Sequence, residues 1–191
     1  MIERIKKQSL QKIFIMVYNF FRMIIIRLKC GKNSSVSLIQ NISPSCEIAV
    51  SRRAKLVFKH SIFTRRNVSF RVERGGKLIV GTSFFNQGCS ITCMDQIYIG
   101  DDCLFGPNVV IVDHDHDYKY LGNERGANYL TSPVVIGNNV WIGANVTILR
   151  GTEIGAGSVI GAGSVIKGIV PSNSVVRSNR DLSIKSINTE R

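Results

Sequence analysis

The amino-acid sequence of this 191-residue chain repeats with a period of six residues. An aliphatic or aromatic residue begins each unit, and glycine follows it in most of them. The units are IGDDCL (99–104), FGPNVV (105–110), IGNNVW (136–141), IGANVT (142–147), ILRGTE (148–153) and IGAGSV twice (154–159 and 160–165), with weaker echoes upstream through Leu56, Ile62, Val68, Ile91 and Ile97. Seven units in two in-register blocks indicate a repeat architecture, because a fixed short period is the sequence signature of a solenoid.

A six-residue period is typical of a short strand followed by a sharp bend. One apolar side chain of each unit points inward, while Gly or Asn near the bend tolerates the backbone angles that the bend needs. Each coil hydrogen-bonds to the coils on either side of it, so three flat faces close a prism around a column of Ile and Val. The sequence therefore predicts a mainly β fold, a parallel β-helix over 33–176, between a helical segment at 1–32 and a tail at 177–191.

The repeat is interrupted between Ile111 and Ile136, where an external loop is predicted over 112–133. The loop begins with VDHDHDYKY, which holds two of the three histidines of the chain. A coil can be interrupted only by a loop that leaves the prism and returns in register, and such excursions are commonly functional. Imidazole can serve as a base or as a metal ligand. The stretch by itself leaves three interpretations open: a general base, a metal site and a polar loop tip.

These repeats resemble those of the hexapeptide-repeat acyltransferases, and most of all the maltose, galactoside and bacterial polysaccharide O-acetyltransferases. The resemblance covers roughly 50–176, and its most specific part lies within 106–148, from GPNV to SPVVIGNNVWIGANVTI. It implies a left-handed β-helix, a homotrimer, and transfer of an acetyl group from acetyl-CoA to a hydroxyl of a sugar or cell-envelope glycan. It implies no metal.

The resemblance also assigns roles in the loop and near it. The catalytic histidine of the family lies eight positions after the Asn of its G/A-P-N-V motif, which is His116 counted from Asn108. His116 is therefore the expected general base, and His114 is expected to be structural or to touch substrate. Asn86 lies thirty residues before His116, as does the Asn that contacts acceptor and thioester in the family. Asp95, one place from the acceptor-binding Asp of the family, is the remaining candidate for substrate binding.

The residues that the resemblance assigns to CoA share a position along the second block of repeats or in the tail. The pantetheine arm is expected to lie against small residues and the indole, and the phosphates against basic side chains. The resemblance gives Trp141, Gly143, Ala144 and Ala162 for the arm and Lys185 for the phosphates. Lys167, which takes the place of a hydroxyl residue of the family, and Arg177 or Arg180 are further candidates for the phosphates, because a cationic side chain suits phosphate. The C-terminal G-V-P-A/C-[KR] segment of the family is replaced here by VVRSNRDLSIK (175–185), and only Lys185 keeps one of its basic positions.

The net charge of +12 is concentrated in the first part of the chain, because residues 1–77 carry 17 Lys and Arg against three acidic residues. No nucleic-acid-binding signature accompanies this charge, so a membrane surface or an anionic glycan is favoured over nucleic acid. An apolar stripe within 13–28 (Ile13, Met16, Val17, Phe20, Ile24, Leu28) lies largely opposite Lys12, Asn19, Arg22 and Lys29. The segment is predicted to be an amphipathic helix that either lies on the inner face of the membrane or packs on protein.

Two alternative functions compete with O-acetyl transfer. Some left-handed β-helices are zinc carbonic anhydrases, and His60 would have to supply a third imidazole beside the two loop histidines. The chain could also be a non-catalytic scaffold recruited to a membrane by its basic helix. The five cysteines show no zinc or redox spacing and are expected to be reduced core thiols, which is typical of a cytoplasmic protein.

Overall fold

A computed structural model of the chain describes residues 2–30, 34–59, 62–117 and 128–178. One helix, α1 (Ile2–Cys30), precedes a series of short strands, and most of these belong to three parallel sheets that form the faces of a prism. The chain visits the three faces in the same order in every coil. The result is a parallel β-solenoid of about six turns, which confirms the predicted β-helix with its N-terminal helix and external loop.

Each face is built from one strand per coil. The first face holds β1 (Ser35–Val36), β3 (Lys55–Phe58), β6 (Lys77–Val80), β9 (Gln96–Ile99), β14 (Val134–Ile136), β17 (Glu153–Ile154) and β20 (Ile169–Val170). The second face holds β4 (Phe63–Thr64), β7 (Ser83–Phe85), β10 (Cys103–Phe105), β15 (Trp141–Ile142), β18 (Val159–Ile160) and β21 (Val175–Val176). The third face holds β2 (Glu47–Val50), β5 (Ser69–Val72), β8 (Ser90–Cys93), β11 (Val110–Val112), β16 (Thr147–Ile148) and β19 (Val165–Ile166).

The inward positions of the prism change character along its length. In the upper coils, those toward the C-terminus, they are the predicted Ile and Val, such as Ile136, Ile142 and Ile148, all fully buried. In the lower coils, those toward the N-terminus, aromatic rings take their place, and Phe85 stacks on Phe105 with ring centroids 4.5 Å apart. Each strand turns every second side chain toward the interior, so these positions require an apolar residue. Aliphatic and aromatic side chains both satisfy this requirement.

Four of the five cysteines lie in this interior as free thiols: Cys46, Cys89, Cys93 and Cys103. Burial raises the pKa of Cys46 to about 12 and that of Cys89 to about 11. Burial also raises the pKa values of the other two. These side chains are therefore protonated and poorly nucleophilic at neutral pH, as expected for core thiols.

Helix α1 covers the open edge of the first coil. Asn19 donates its side-chain amide to the Ile42 carbonyl at 2.7 Å, and Arg27 donates Nε to the Val36 carbonyl at 2.7 Å. Arg22 donates to the Cys46 carbonyl. These contacts supply donors to carbonyls at the terminal strand edge, which would otherwise invite pairing with another chain. The helix thus packs on its own domain, as one of the two alternatives predicted.

The face that α1 uses for this packing is not the apolar stripe marked in the sequence. Asn19, Met23 and Ile26 are buried against the coil. Most of the predicted stripe, including Phe20 and Leu28, is exposed. Within the described residues no helix is long and apolar enough to cross a membrane.

Candidate active site

The predicted external loop leaves the prism as a short antiparallel hairpin. Its strands are β12 (His114–His116) and β13 (Tyr129–Thr131), with His116 opposite Tyr129 and His114 opposite Thr131. The tip, residues 118–127, lies outside the described residues. The hairpin stands at the corner where the chain passes from the third face to the first. We call this edge the hairpin corner; its described residues are 51–54, 73–76, 94–95, 113–117, 128–133, 149–152 and 167–168.

A buried carboxylate fastens the start of the hairpin to the coil below. Asp113 is fully buried. Its carboxylate accepts backbone N–H groups from Met94 at 2.8 Å and Asp95 at 2.8 Å. The Asp113 carboxylate also lies 3.2 Å from Nδ1 of His114. Because these partners come from an adjacent coil and from the loop itself, Asp113 fixes the direction in which the chain departs.

The coil above holds the hairpin from the other side. Arg150 donates Nε to the Asp115 carboxylate at 2.6 Å. The Ser132 N–H donates to the Asp113 carbonyl at 2.9 Å, and the Ser132 carbonyl accepts from Gly151 N–H at 3.1 Å. The base of the hairpin is therefore held between two coils, which is the kind of rigid support that a catalytic side chain needs.

The two histidines have different surroundings on this support. The His114 side chain is largely buried, beside Asp113 and edge-on to the Tyr129 ring at 5.6 Å between centroids. His116 is exposed, and its ring lies 4.7 Å from that of Tyr129. Among the described residues His116 makes no hydrogen bond, so both of its ring nitrogens are open to a ligand. His114 is thus held by its neighbours, whereas the His116 ring is accessible to a ligand.

A second cluster of predicted residues lies on a different edge, between the second and third faces. We call it the glycine corner; its residues are 86–89, 106–109, 143–146 and 161–164. It carries Asn86, Gly143, Ala144 and Ala162, and Trp141 adjoins it on β15 with its side chain exposed. Gly106, Pro107, Trp141, Gly143, Ala144 and the segment 159–162 line an apolar groove of about 410 Å³ here.

Packing between coils explains the glycines of this corner. A Cβ on Gly143 would lie 2.6 Å from the Ala162 nitrogen, and one on Gly106 would lie 2.7 Å from the Ala144 nitrogen. The Gly143 N–H donates to the Ile160 carbonyl at 2.8 Å and so belongs to the ladder between coils. Asn86 uses its side-chain oxygen to accept the Gln87 N–H at 2.9 Å. The groove is thus a consequence of tight stacking that also leaves a smooth apolar floor.

Two segments of the chain match known protein-family models. Residues 133–168 match the model described as bacterial transferase hexapeptide (six repeats), and residues 96–112 match the hexapeptide repeat of succinyl-transferase. Both matched segments thus consist of hexapeptide repeats. The two matched segments flank the hairpin, which agrees with the interruption of the repeat in the sequence.

Solved structures similar to this chain include several acyltransferases. A maltose O-acetyltransferase from Clostridium difficile 630 is 38% identical with a TM-score of 0.51, over 62% of this chain and 62% of that enzyme. A hexapeptide-repeat acetyltransferase from Vibrio cholerae O1 biovar eltor, solved with acetyl-coenzyme A, is 24% identical over 84% and 77% (TM-score 0.52). An N-acyltransferase from Bacillus cereus, solved with dTDP-4-amino-4,6-dideoxyglucose and coenzyme A, is 15% identical over 87% and 90% (TM-score 0.59). The last two similarities concern the fold alone.

Of the remaining predicted site residues, some lie near the histidines and others lie outside the described residues. Asp95 and Lys167 lie on the hairpin corner with the histidines, and Lys167 is exposed. Arg180 and Lys185 lie outside the described residues, as does His60, the third imidazole of the carbonic anhydrase alternative. In the described ranges no group of three His, Cys, Asp or Glu side chains could hold a metal ion.

Three residues that shape the site were not singled out in the sequence: Asp113, Arg150 and Tyr129. Asp113 is the first residue after the last inward-facing strand before the loop, a position that favours a side chain able to satisfy the broken ladder. No local sequence pattern predicts the roles of Arg150 and Tyr129, because their partners, Asp115 and His116, are 35 and 13 residues away in the chain.

Proposed function

We propose that this protein transfers an acetyl group from acetyl-CoA to a hydroxyl of a sugar or cell-envelope glycan, with His116 as the general base. The observation that carries the proposal is the exposed His116 imidazole on a hairpin fastened to two coils. The sequence identity with a maltose O-acetyltransferase supports the choice of an oxygen acceptor. The matched part spans less than two thirds of that enzyme.

The reaction uses the open ring nitrogens of His116. A neutral imidazole accepts the proton of the acceptor hydroxyl as its oxygen attacks the carbonyl carbon of the thioester. The carbon–sulfur bond then breaks, and the imidazolium gives the proton to the departing CoA sulfur. The products are the acetyl ester and the CoA thiol. Tyr129, beside His116, limits the directions from which an acceptor reaches the ring.

The acyl donor fits the glycine corner. Its groove is apolar, and small side chains let a flexible pantetheine arm lie close to the coil. Trp141 would cover the arm, and Ala144 and Ala162 would floor it. The Gly143 amide is already bonded to Ile160. We therefore assign the oxyanion donor to a neighbouring turn amide, with the Asn86 side chain assisting.

The proposal requires more than one copy of the chain. His116 is on the hairpin corner, whereas Asn86, Gly143 and Ala162 are on the glycine corner, and the third face of the prism lies between them. One copy alone therefore keeps the base away from the donor groove. A homotrimer in which the hairpin corner of one copy meets the glycine corner of the next would complete three equivalent sites. We also place Lys167, Arg180 and Lys185 near the CoA phosphates in such a site.

The test compares the two histidines in the full-length protein. A thioester-consumption assay with acetyl-CoA and a panel of sugars and glycans should identify the acceptor. His116→Ala should lower kcat about 10²–10⁴-fold, the usual contribution of a general base. His114→Ala should lower it far less, and the opposite ranking would refute the assignment of the base.

Two further measurements separate the competing functions. Acetyl-CoA should raise the melting temperature of the wild type and of His116→Ala alike, because a ligand that binds only the folded state stabilises it. If no CoA ester shifts either melting curve, the protein is a scaffold rather than an acyltransferase. If the protein instead hydrates CO2, and chelation abolishes that activity and zinc restores it, the carbonic anhydrase alternative replaces the proposal. The protein is proposed to act in the cytoplasm, where acetyl-CoA is made.

A further inference from the structure

The outward side of α1 is an extended apolar surface. We call it the apolar helix face, and it consists of Ile13, Phe14, Met16, Val17, Phe20, Phe21 and Leu28, each between 41% and 78% exposed. The opposite side of the helix is already occupied, because Asn19, Met23 and Ile26 are buried against the first coil. A helix that is apolar on both sides is normally covered on both sides. The apolar helix face therefore requires an occupant.

A strongly basic cleft adjoins this face. Lys29, Arg52, Arg53 and Arg74, with Ser51, line a cleft of about 600 Å³. Next to it an apolar groove of about 580 Å³ runs between α1 and β2, lined by residues such as Phe21, Ile25 and Ile48. Lys29 lines both, so the cationic and apolar surfaces are continuous. In the described ranges none of the four cationic side chains of the cleft is in an ion pair.

We infer that the apolar helix face and the basic cleft together dock the protein on the anionic leaflet of a lipid bilayer. Acyl chains would cover Phe14, Phe21 and Leu28, while lipid phosphates would neutralise the cleft. Charge decides between this occupant and a second copy of the chain. Two copies that met through this surface would bring eight like charges together, whereas an anionic leaflet supplies the opposite charge.

The position of the surface also fits the proposed acyl transfer, and this point rests on that function. Arg52, Arg53 and Arg74 lie on the hairpin corner, below Asp95 and the His116 hairpin. Successive coils are about 4.8 Å apart. His116, three coils above Arg52, would therefore stand roughly 15 Å from the lipid phosphates, within reach of a glycan held on a membrane lipid. In a trimer the three helices lie at the same end, so their weak affinities combine.

The test is flotation of the full-length protein with vesicles of phosphatidylcholine, alone or mixed with phosphatidylglycerol. Binding should require phosphatidylglycerol and should fall as salt is added, because exposed charges are screened. Arg52→Gln with Arg74→Gln should lower the partition coefficient of each protomer roughly 30-fold. Lys167→Gln with Arg177→Gln, which removes the same charge from the far end of the prism, should leave it within about two-fold.

The apolar part is tested in the same way. Phe14→Ser with Phe21→Ser should abolish flotation, and the matched exposed pair Val165→Ser with Ile169→Ser should not. All four side chains are at least 59% exposed, so the variants should keep the wild-type melting temperature, which is measured alongside. Equal effects of the test and control pairs, or binding indifferent to phosphatidylglycerol, would overturn the inference. The inference would also be overturned if sedimentation without vesicles showed that the Phe14→Ser/Phe21→Ser variant is a smaller assembly than the wild type. Acetyl transfer to a soluble acceptor is measured separately, so failure of docking is distinguishable from failure of the proposed function.

Discussion

Asp113 and Asp115 are two residues apart, yet replacing each with Ala should have very different consequences. Asp113 is buried and accepts N–H groups from Met94 and Asp95. Asp115 is 41% exposed and makes one ion pair, with Arg150. A hydrogen bond to a charged group contributes about 1.5–3 kcal/mol, whereas an exposed ion pair contributes about 0–1 kcal/mol. The pair therefore compares a buried anchor with a surface contact on the same hairpin.

The expected cost of Asp113→Ala follows from the two lost acceptors. Because Met94 and Asp95 are only partly buried, water can replace some of what is lost, and we take the lower limit of about 3 kcal/mol. For a chain of this length each kcal/mol lowers the melting temperature by about 2–4 °C, so a fall of roughly 6–12 °C is expected. Asp115→Ala should lower it by no more than about 4 °C.

Differential scanning calorimetry of both variants measures these shifts, and hydrogen exchange locates them. The amide protons of Met94 and Asp95 should exchange faster in Asp113→Ala than in the wild type, and at the wild-type rate in Asp115→Ala. Asp113→Asn, which keeps one carbonyl acceptor, should fall between wild type and Asp113→Ala. A melting temperature for Asp113→Ala equal to or above that of Asp115→Ala would show that the buried carboxylate does not anchor the hairpin.

Two further predictions concern the prism itself. Gly143→Ala should destabilise the protein by about 1–3 kcal/mol in urea unfolding, because its Cβ would overlap Ala162 in the coil above. Gly161→Ala, whose Cβ would have its nearest contact at 3.1 Å, should lower the free energy of unfolding less. Equal losses in the two variants would contradict this reasoning. Cys46 and Cys89 should resist iodoacetamide at pH 8 in the native state and react after unfolding, as peptide mass spectrometry would show. Since folding raises their pKa values from 9.0 to about 12 and 11, the free energy of unfolding should fall as the pH rises from about 9 toward that range.

Much of the fold follows from the sequence because the repeat is a local property. Each six-residue unit must turn one apolar side chain inward and bend at a small or αL-tolerant residue, as Asn108 and Asn145 do with φ of 57° and 55°. These requirements concern neighbouring residues alone, so period, strand positions and the place of the external loop are predictable. The count from Asn108 to His116 uses the same local property, since both residues belong to one coil.

The remaining features depend on residues that are distant in sequence. Which side of α1 faces the protein was decided by carbonyls of the first coil, more than twenty residues after Asn19 and Arg22. That edge needs hydrogen-bond donors beside the apolar side chains that pack on it. The partners of Asp113 and Asp115 lie one coil below and one coil above, at separations set by stacking. The distance between His116 and the donor groove is likewise a property of the prism, because two positions in one coil can occupy different corners. The sequence alone determined the coil. Only the tertiary structure, by stacking coils and closing their edge with a helix, decided which side chains meet.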